Sequence, residues 1–155
     1  MLIRELWSGG QTGVDRAALD VARELGIPHH GWIPAGRLAE DGPIGPEYDG
    51  LRETESPEYA VRTEFNVQDT DATLLLSVGP LEGGTLFTRE VAEHLARPLL
   101  IVDLAQVDSE DAARGVREWL SALPGPVRLN VAGPRASTAP AAYFLAGRFL
   151  RLVLP

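Results

Sequence analysis

Three apolar runs of strand length in this chain each stop at a glycine-bearing loop. Leu2 to Trp7 ends at Ser8-Gly9-Gly10-Gln11-Thr12-Gly13, and Ala72 to Val78 ends at Gly79-Pro80-Leu81-Glu82-Gly83-Gly84-Thr85. Val127 to Val131 ends at Ala132-Gly133-Pro134-Arg135. Helical segments lie between the runs. Strands that alternate with helices form a parallel sheet, because each crossover lays a helix on one face of it. The pattern predicts one α/β domain over residues 1–155, three layers deep, with a mostly parallel central sheet. In such sheets ligands bind beyond the carboxyl ends of the strands. All three glycine loops fall there.

The intervening segments read in the same way. Val14, Ala17, Ala18, Val21, Ala22 and Leu25 share one helical face, so a helix is predicted from about Val14 to Leu25. Thr12 followed three residues later by Asp15 has the form of a capping box. Gly26-Ile27-Pro28 stops that helix. A short strand is expected over His29–Ile33, then a long stretch from Pro34 to Pro57 rich in Gly, Pro and acidic residues. Loops of that length tend to be functional, and this one is a candidate lid. A helix is predicted from about Glu58 to Gln68, with Arg62, Asn66 and Asp69 on one polar face and Val61 and Phe65 packing on the other. Ala72–Val78 and Pro98–Leu104 read as buried strands, with a helix between them that ends near Ala96. Ser109–Leu123 reads as a helix with an acidic first turn, and a last helix starts near Pro140.

Composition removes several function classes. The net charge is -8 and no run of Arg occurs, so nucleic acid is not an expected partner. There is no cysteine, which excludes thiol catalysis and thiolate metal sites. There is no lysine either; all 14 basic residues are Arg. A Schiff base and a P-loop are therefore excluded, and Arg must supply any cationic contact to a ligand. The first residues show no leader pattern, and no apolar run approaches the ~20 residues of a membrane span. A cytoplasmic location without membrane contact is expected.

The loops point to an anion. Gly9, Gly10, Gln11, Thr12 and Gly13 lead from a strand into a helix N-terminus, whose free N–H groups and dipole favour a phosphate. On this reading Gly10→Val blocks the ligand with little effect on folding. The spacing is GGxxG rather than GxGxxG, and no acidic residue ends the second strand, so a dinucleotide fingerprint is absent. Gly83, Gly84 and Thr85 form a second such start, with Thr88 one turn on. Arg62 and Asn66 are expected to supply charge and hydrogen bonds and Arg37 to clamp an anion, with Asp41 in the same long segment as Arg37. Asn130 and Arg135 flank the third loop. His29 and His30 are adjacent on a strand, point to opposite faces and read as structural. No catalytic triad and no metal-ligand spacing is seen.

The runs SGGQTGVDRAALDVA (8–22), GWIPAGRLAEDGPI (31–44), RTEFNVQDTDATLLLS (62–77), GGT (83–85) and LNVAGPRAS (129–137) resemble the molybdenum cofactor carrier proteins. They do so in order along nearly the whole chain. The resemblance implies a Rossmann-like fold, a homo-oligomer (dimer or tetramer), and as cargo the molybdenum cofactor (molybdopterin), a pterin dithiolene with a terminal phosphate. It also implies donor and acceptor partners among molybdoenzymes or cofactor-synthesis proteins. The wider group includes cytokinin-activating phosphoribohydrolases, which have a PGGxGTxxE run. Here Thr88 stands where that Glu would be, and Glu90 lies beyond it, although Arg62 resembles those enzymes' Arg. A Lys expected near Ser137-Thr138 is also missing. The leading reading that the resemblance implies is a non-catalytic binder that holds and shields the molybdenum cofactor, or a similar small phosphorylated heterocycle, with Asp41 accepting from pterin nitrogens. The alternatives are a nucleoside monophosphate phosphoribohydrolase using Arg62 with Glu64 or Glu90, and a nucleotide-sensing signalling domain.

Overall fold

The computed structural model describes residues 2–154. They form strands β1 (Ile3–Trp7), β2 (His29–Ile33), β3 (Leu51–Glu53), β4 (Ala72–Ser77), β5 (Leu99–Asp103) and β6 (Val127–Ala132). The helices are α1 (Val14–Leu25), α2 (Tyr59–Gln68), α3 (Gly83–His94), α4 (Ser109–Ala122) and α5 (Ala142–Val153). The strands lie in the order β3-β2-β1-β6-β4-β5, and every neighbouring pair is parallel. The architecture is the expected three-layer, Rossmann-like α/β fold. Among the described residues no helix is long and apolar enough to cross a membrane.

β4 shows why the order forms. All six of its residues are buried. Leu74 and Leu76 pack on one face with Val14, Leu129 and Phe149, in the core shared by α1, α4 and α5. On the other face α2 and α3 meet through Val67, Val91 and Ala92. A strand covered on both faces reads as a continuous apolar run. β5 has the same kind of run but lies at the sheet edge, where Ile101 is 39 % exposed. The expectation of a second fully buried strand is corrected there, since apolar content alone does not tell an edge from a centre.

The stretch from 34 to 57 is not structureless. Leu51–Glu53 pairs with β2, Gly31 opposite Leu51. Leu51 is buried with Leu19, Ile33, Ile44 and Tyr48 in a second, smaller core. The segment is thus a packed extension of the sheet. Three residues with one apolar member carry no legible period, which is why β3 escaped the sequence.

Helix α1 has the predicted bounds, but the capping box does not form. Its N-cap is Gly13 and no side chain caps it. The loop after β6 covers this end instead, with the Val14 N–H donating to the Pro134 carbonyl at 3.2 Å. In α2 the apolar face does not pack as expected. Thr63, Asn66 and Val67 are buried, whereas Phe65 is 37 % exposed, with its ring edge-on to Trp32. The polar face turns inward because Asn66 satisfies β2: its Oδ1 accepts from the Trp32 N–H and its Nδ2 donates to the Trp32 carbonyl. Asp69 accepts from the Trp32 indole N–H at 2.8 Å. α3 begins at Gly83, inside the predicted loop, and α5 begins at Ala142 rather than beside Pro140.

Candidate ligand-binding site

A cavity of about 570 Å³ opens at the carboxyl ends of β1, β6 and β4. Chain connections diverge there, from β1 towards β2 and from β4 towards β5, which is where open parallel sheets take ligands. Gly9 and Gln11 come from the loop after β1, and Asp15 from the first turn of α1. Helix α2 contributes Tyr59, Arg62, Thr63 and Asn66; the start of α3 contributes Glu82, Gly83, Gly84, Thr85 and Thr88. Gly133, Pro134 and Arg135 close the third side. Gly9, Gln11, Arg62, Asn66, Gly83, Gly84, Thr85 and Thr88 are thus gathered as the sequence leads one to expect.

Gly10, Thr12, Gly13, Arg37 and Asp41 do not line the cavity. Three of the first loop's N–H groups have internal partners. Gly10 N–H donates to Ser8 Oγ (3.2 Å), Gln11 N–H to Asp15 Oδ2 (3.2 Å) and Thr12 N–H to Gln11 Oε1 (3.0 Å). A backbone N–H is one donor, so these three are committed within the loop in this structure. The two glycines serve packing. At Gly13 a Cβ would lie 2.3 Å from the Pro134 carbonyl oxygen. At Gly10, whose φ is +75°, it would lie 2.7 Å from Ile44 Cδ1 and 3.0 Å from Ile33 Cγ2. The expectation for Gly10→Val is corrected accordingly: the side chain would invade the small core rather than a ligand's place.

The start of α3 is the open one. Gly83 and Gly84 carry N–H groups with no carbonyl a turn back to receive them, and neither donates a hydrogen bond among the described residues. A Cβ built on either meets nothing within 4 Å. These donors and the helix dipole face a cavity that also holds Arg62.

Arg62 is the buried cation of the site; Arg135, the other arginine lining it, is more exposed. The Arg62 side chain is 13 % exposed, and its Nη2 lies 3.7 Å from Asp15 Oδ2. Nη1 donates to Thr63 Oγ1 and, at 3.4 Å, to the Tyr59 carbonyl. The buried Nε has no partner. Gly9 makes room for this guanidinium, since a Cβ there would lie 2.6 Å from Arg62 Nε. Burial pushes the Asp15 carboxyl up to about 6, against the opposing pull of Arg62, the Gln11 N–H and Arg16. Burial likewise pulls the Arg62 guanidinium down, with Asp15 opposing. Gly9→Ala should displace Arg62 while leaving the sheet intact. The expected outcome is a ~10-fold weaker hold on an anionic ligand with nearly unchanged melting, read by calorimetry and a thermal scan.

The 34–57 segment is strapped down beside the cavity. Arg37 donates to the carbonyls of Ile44 (2.9 Å), Gly45 (3.0 Å) and Tyr48 (3.2 Å). Asp41 takes a bidentate pair from Arg16. Glu40 ties the segment to the third loop: it accepts from Thr12 Oγ1 (2.5 Å), Ser137 N–H (3.0 Å) and Ser137 Oγ (2.6 Å). The Ser137 and Thr12 hydroxyls hold its carboxyl below the usual range. Such a group stabilises the ionised form, so its contribution is present above about pH 4.5 and lost on acidification below that. Glu40→Ala should cost about 1 kcal/mol at neutral pH. It should also speed hydrogen exchange in residues 34–57 and 135–138 above that of the rest of the chain.

Sequence reasoning missed Asp15, Tyr59, Thr63 and Glu40. For Asp15 a signal existed: it stands three and four residues before Ala18 and Leu19, inside the buried stripe of α1. Glu64 and Glu90, the carboxylates weighed for a hydrolase, are exposed and do not line the cavity.

A family model described as "Circularly permutated YpsA SLOG family" (cpYpsA) matches residues 6–154. The chain belongs to this family. Every residue of the cavity, from Gly9 to Thr138, lies within the cpYpsA match. The chain is also similar to a crystal structure from Syntrophus aciditrophicus SB named "Putative molybdenum carrier protein". The two are 42 % identical, with 99 % of this chain and 96 % of that one covered, at a TM-score of 0.94. No curated protein matches the chain. The resemblance read from the sequence therefore stands for the family and the fold, and the cpYpsA topology is the one that gathers the cavity.

Proposed function

We propose that this cavity binds a phosphate-bearing heterocycle, and that its cargo is the molybdenum cofactor, held and shielded rather than turned over. The observation that carries the reading is Arg62, a largely buried guanidinium that lines the same cavity as the open start of α3 and is held by Asp15 only at 3.7 Å. A largely buried guanidinium with so loose a counter-ion favours an anion that hydrogen-bonds to it. The Gly83 and Gly84 N–H groups take the phosphate, with Arg62 as the charge partner. Gln11, Thr85 and Arg135 offer hydrogen-bonding groups to the polar pterin. The volume of about 570 Å³ suits a ligand of that size. The name borne by the similar Syntrophus protein supports the choice of cargo. A carrier must also release what it holds. Protein purified anaerobically from a cofactor-producing host should restore activity to a cofactor-free molybdoenzyme, and protein from a cofactor-deficient host should not. Equal restoration by both preparations, or none by either, would count against the carrier role.

A further inference from the structure

We infer that Asp15 couples anion binding at this site to proton uptake: it is the placeholder counter-ion of Arg62, and it takes up a proton when an anionic ligand takes over that guanidinium. The inference rests on the reading that the cavity binds an anion. Asp15 is only 4 % exposed, yet it lines the cavity. Its Oδ2 lies 3.7 Å from Arg62 Nη2, which is charge contact and not a hydrogen bond. The pair is therefore loosely held, and Nη2 donates no hydrogen bond among the described residues.

The groups around Asp15 are few. From α1 itself comes Arg16, whose guanidinium is turned to Asp41 and to the Gly10 carbonyl. Helix α2 brings Arg62, with the Tyr59 ring 5.5 Å from its Cζ. The loop after β1 brings the Gln11 N–H and the Ser8 hydroxyl, which donates to the Asp15 carbonyl. Across the cavity stand Glu82 at the start of α3 and Arg135 after β6; Arg135 lies 3.6 Å from Glu40. Arg62 is thus the one cation paired with the Asp15 carboxylate among the described residues.

An anion bonded to Arg62 arrives within a few ångströms of that carboxylate. Two like charges sharing one buried cation push one of them to protonate. Asp15 is the group ready to do so, since burial already places its carboxyl at about 6. The sign follows. Below that pH the empty site is protonated and ready. Above it, each bound anion draws one proton, and affinity falls ~10-fold per pH unit until the bound-state value is passed. A neutral ligand shows no such dependence.

Sulfate is the probe, because it stays a dianion throughout this range. Its dissociation constant should rise at least ~10-fold between about pH 6 and about pH 8. Calorimetry at about pH 7, in two buffers of different protonation enthalpy, should show uptake of close to one proton. In Asp15→Asn the dissociation constant should be the same at both pH values, with no proton uptake. If that variant does not fold, proton uptake by the unaltered protein decides the matter alone. Equal affinity at both pH values, uptake persisting in Asp15→Asn, or no sulfate binding at any pH overturns the inference. Sulfate bound just as tightly by Arg62→Ala overturns the assignment of the anion site itself. Sulfate bound through Arg62 without proton uptake leaves that assignment standing and removes only the role given to Asp15.

Discussion

Gly31→Ala is expected to cost the fold about 3 kcal/mol or more and to lower the melting temperature by about 10 °C. Gly31 lies in β2, between β1 and β3, with φ at +151°. A Cβ there would stand 1.9 Å from the Ser8 carbonyl oxygen and 2.9 Å from the Ser8 carbonyl carbon and nitrogen. These are backbone atoms in the sheet, so no side-chain rotation relieves the clash. The strands must part, and the Ser8 N–H bond to the His30 carbonyl goes with them. The damage reaches the site, because Ser8 begins the turn that places Gly9 under Arg62. An ordinary Gly-to-Ala change stabilises slightly by restricting the unfolded chain. A melting temperature within about 2 °C of the unaltered protein would show that β1 and β2 are not as close as described.

Arg62→Ala is expected to weaken anionic ligand binding by ~100-fold or more, the scale of losing a buried charge-assisted contact. The same change has a stability signature whose sign can be worked out. The folded Asp15 carboxyl sits at about 6, above its ordinary 3.8, so its stabilising contribution is present below 3.8 and lost as pH rises through about 6. Without the opposing charge of Arg62 that value climbs further. The variant should then match the unaltered protein most nearly at about pH 5 and fall progressively behind towards about pH 8. Denaturant titrations at the two pH values read the difference. A pH-independent gap would mean that Arg62 acts through packing alone.

Where the apolar pattern was long, the fold was legible. The bounds of α1 and β2, the all-buried β4 and the three glycine loops on one sheet edge follow from periodicity and punctuation. β3 is too short to carry a period, and β5 reads like β4 although it lies at the edge. Phe65 lies half exposed where packing was expected, and Asn66 also answers the backbone of Trp32, a partner 34 residues away that no local pattern shows. The site was half legible for a related reason. Glycine loops announce where a chain turns, but not which N–H groups stay free after folding. In the first loop those of Gly10, Gln11 and Thr12 bond to Ser8, Asp15 and Gln11; those of Gly83 and Gly84 stay open. Arg37 and Asp41 have the right chemistry for a ligand, yet they fasten the 34–57 segment to itself and to α1.

Native mass spectrometry, on protein purified anaerobically from a host that makes the molybdenum cofactor, tests the cargo and the site together. The expected result is a bound species with the mass of the pterin cofactor. It should be missing from protein made in a cofactor-deficient host and from Arg62→Ala made in the producing host. Protein that comes off empty, or that carries a nucleotide instead, would contradict the account.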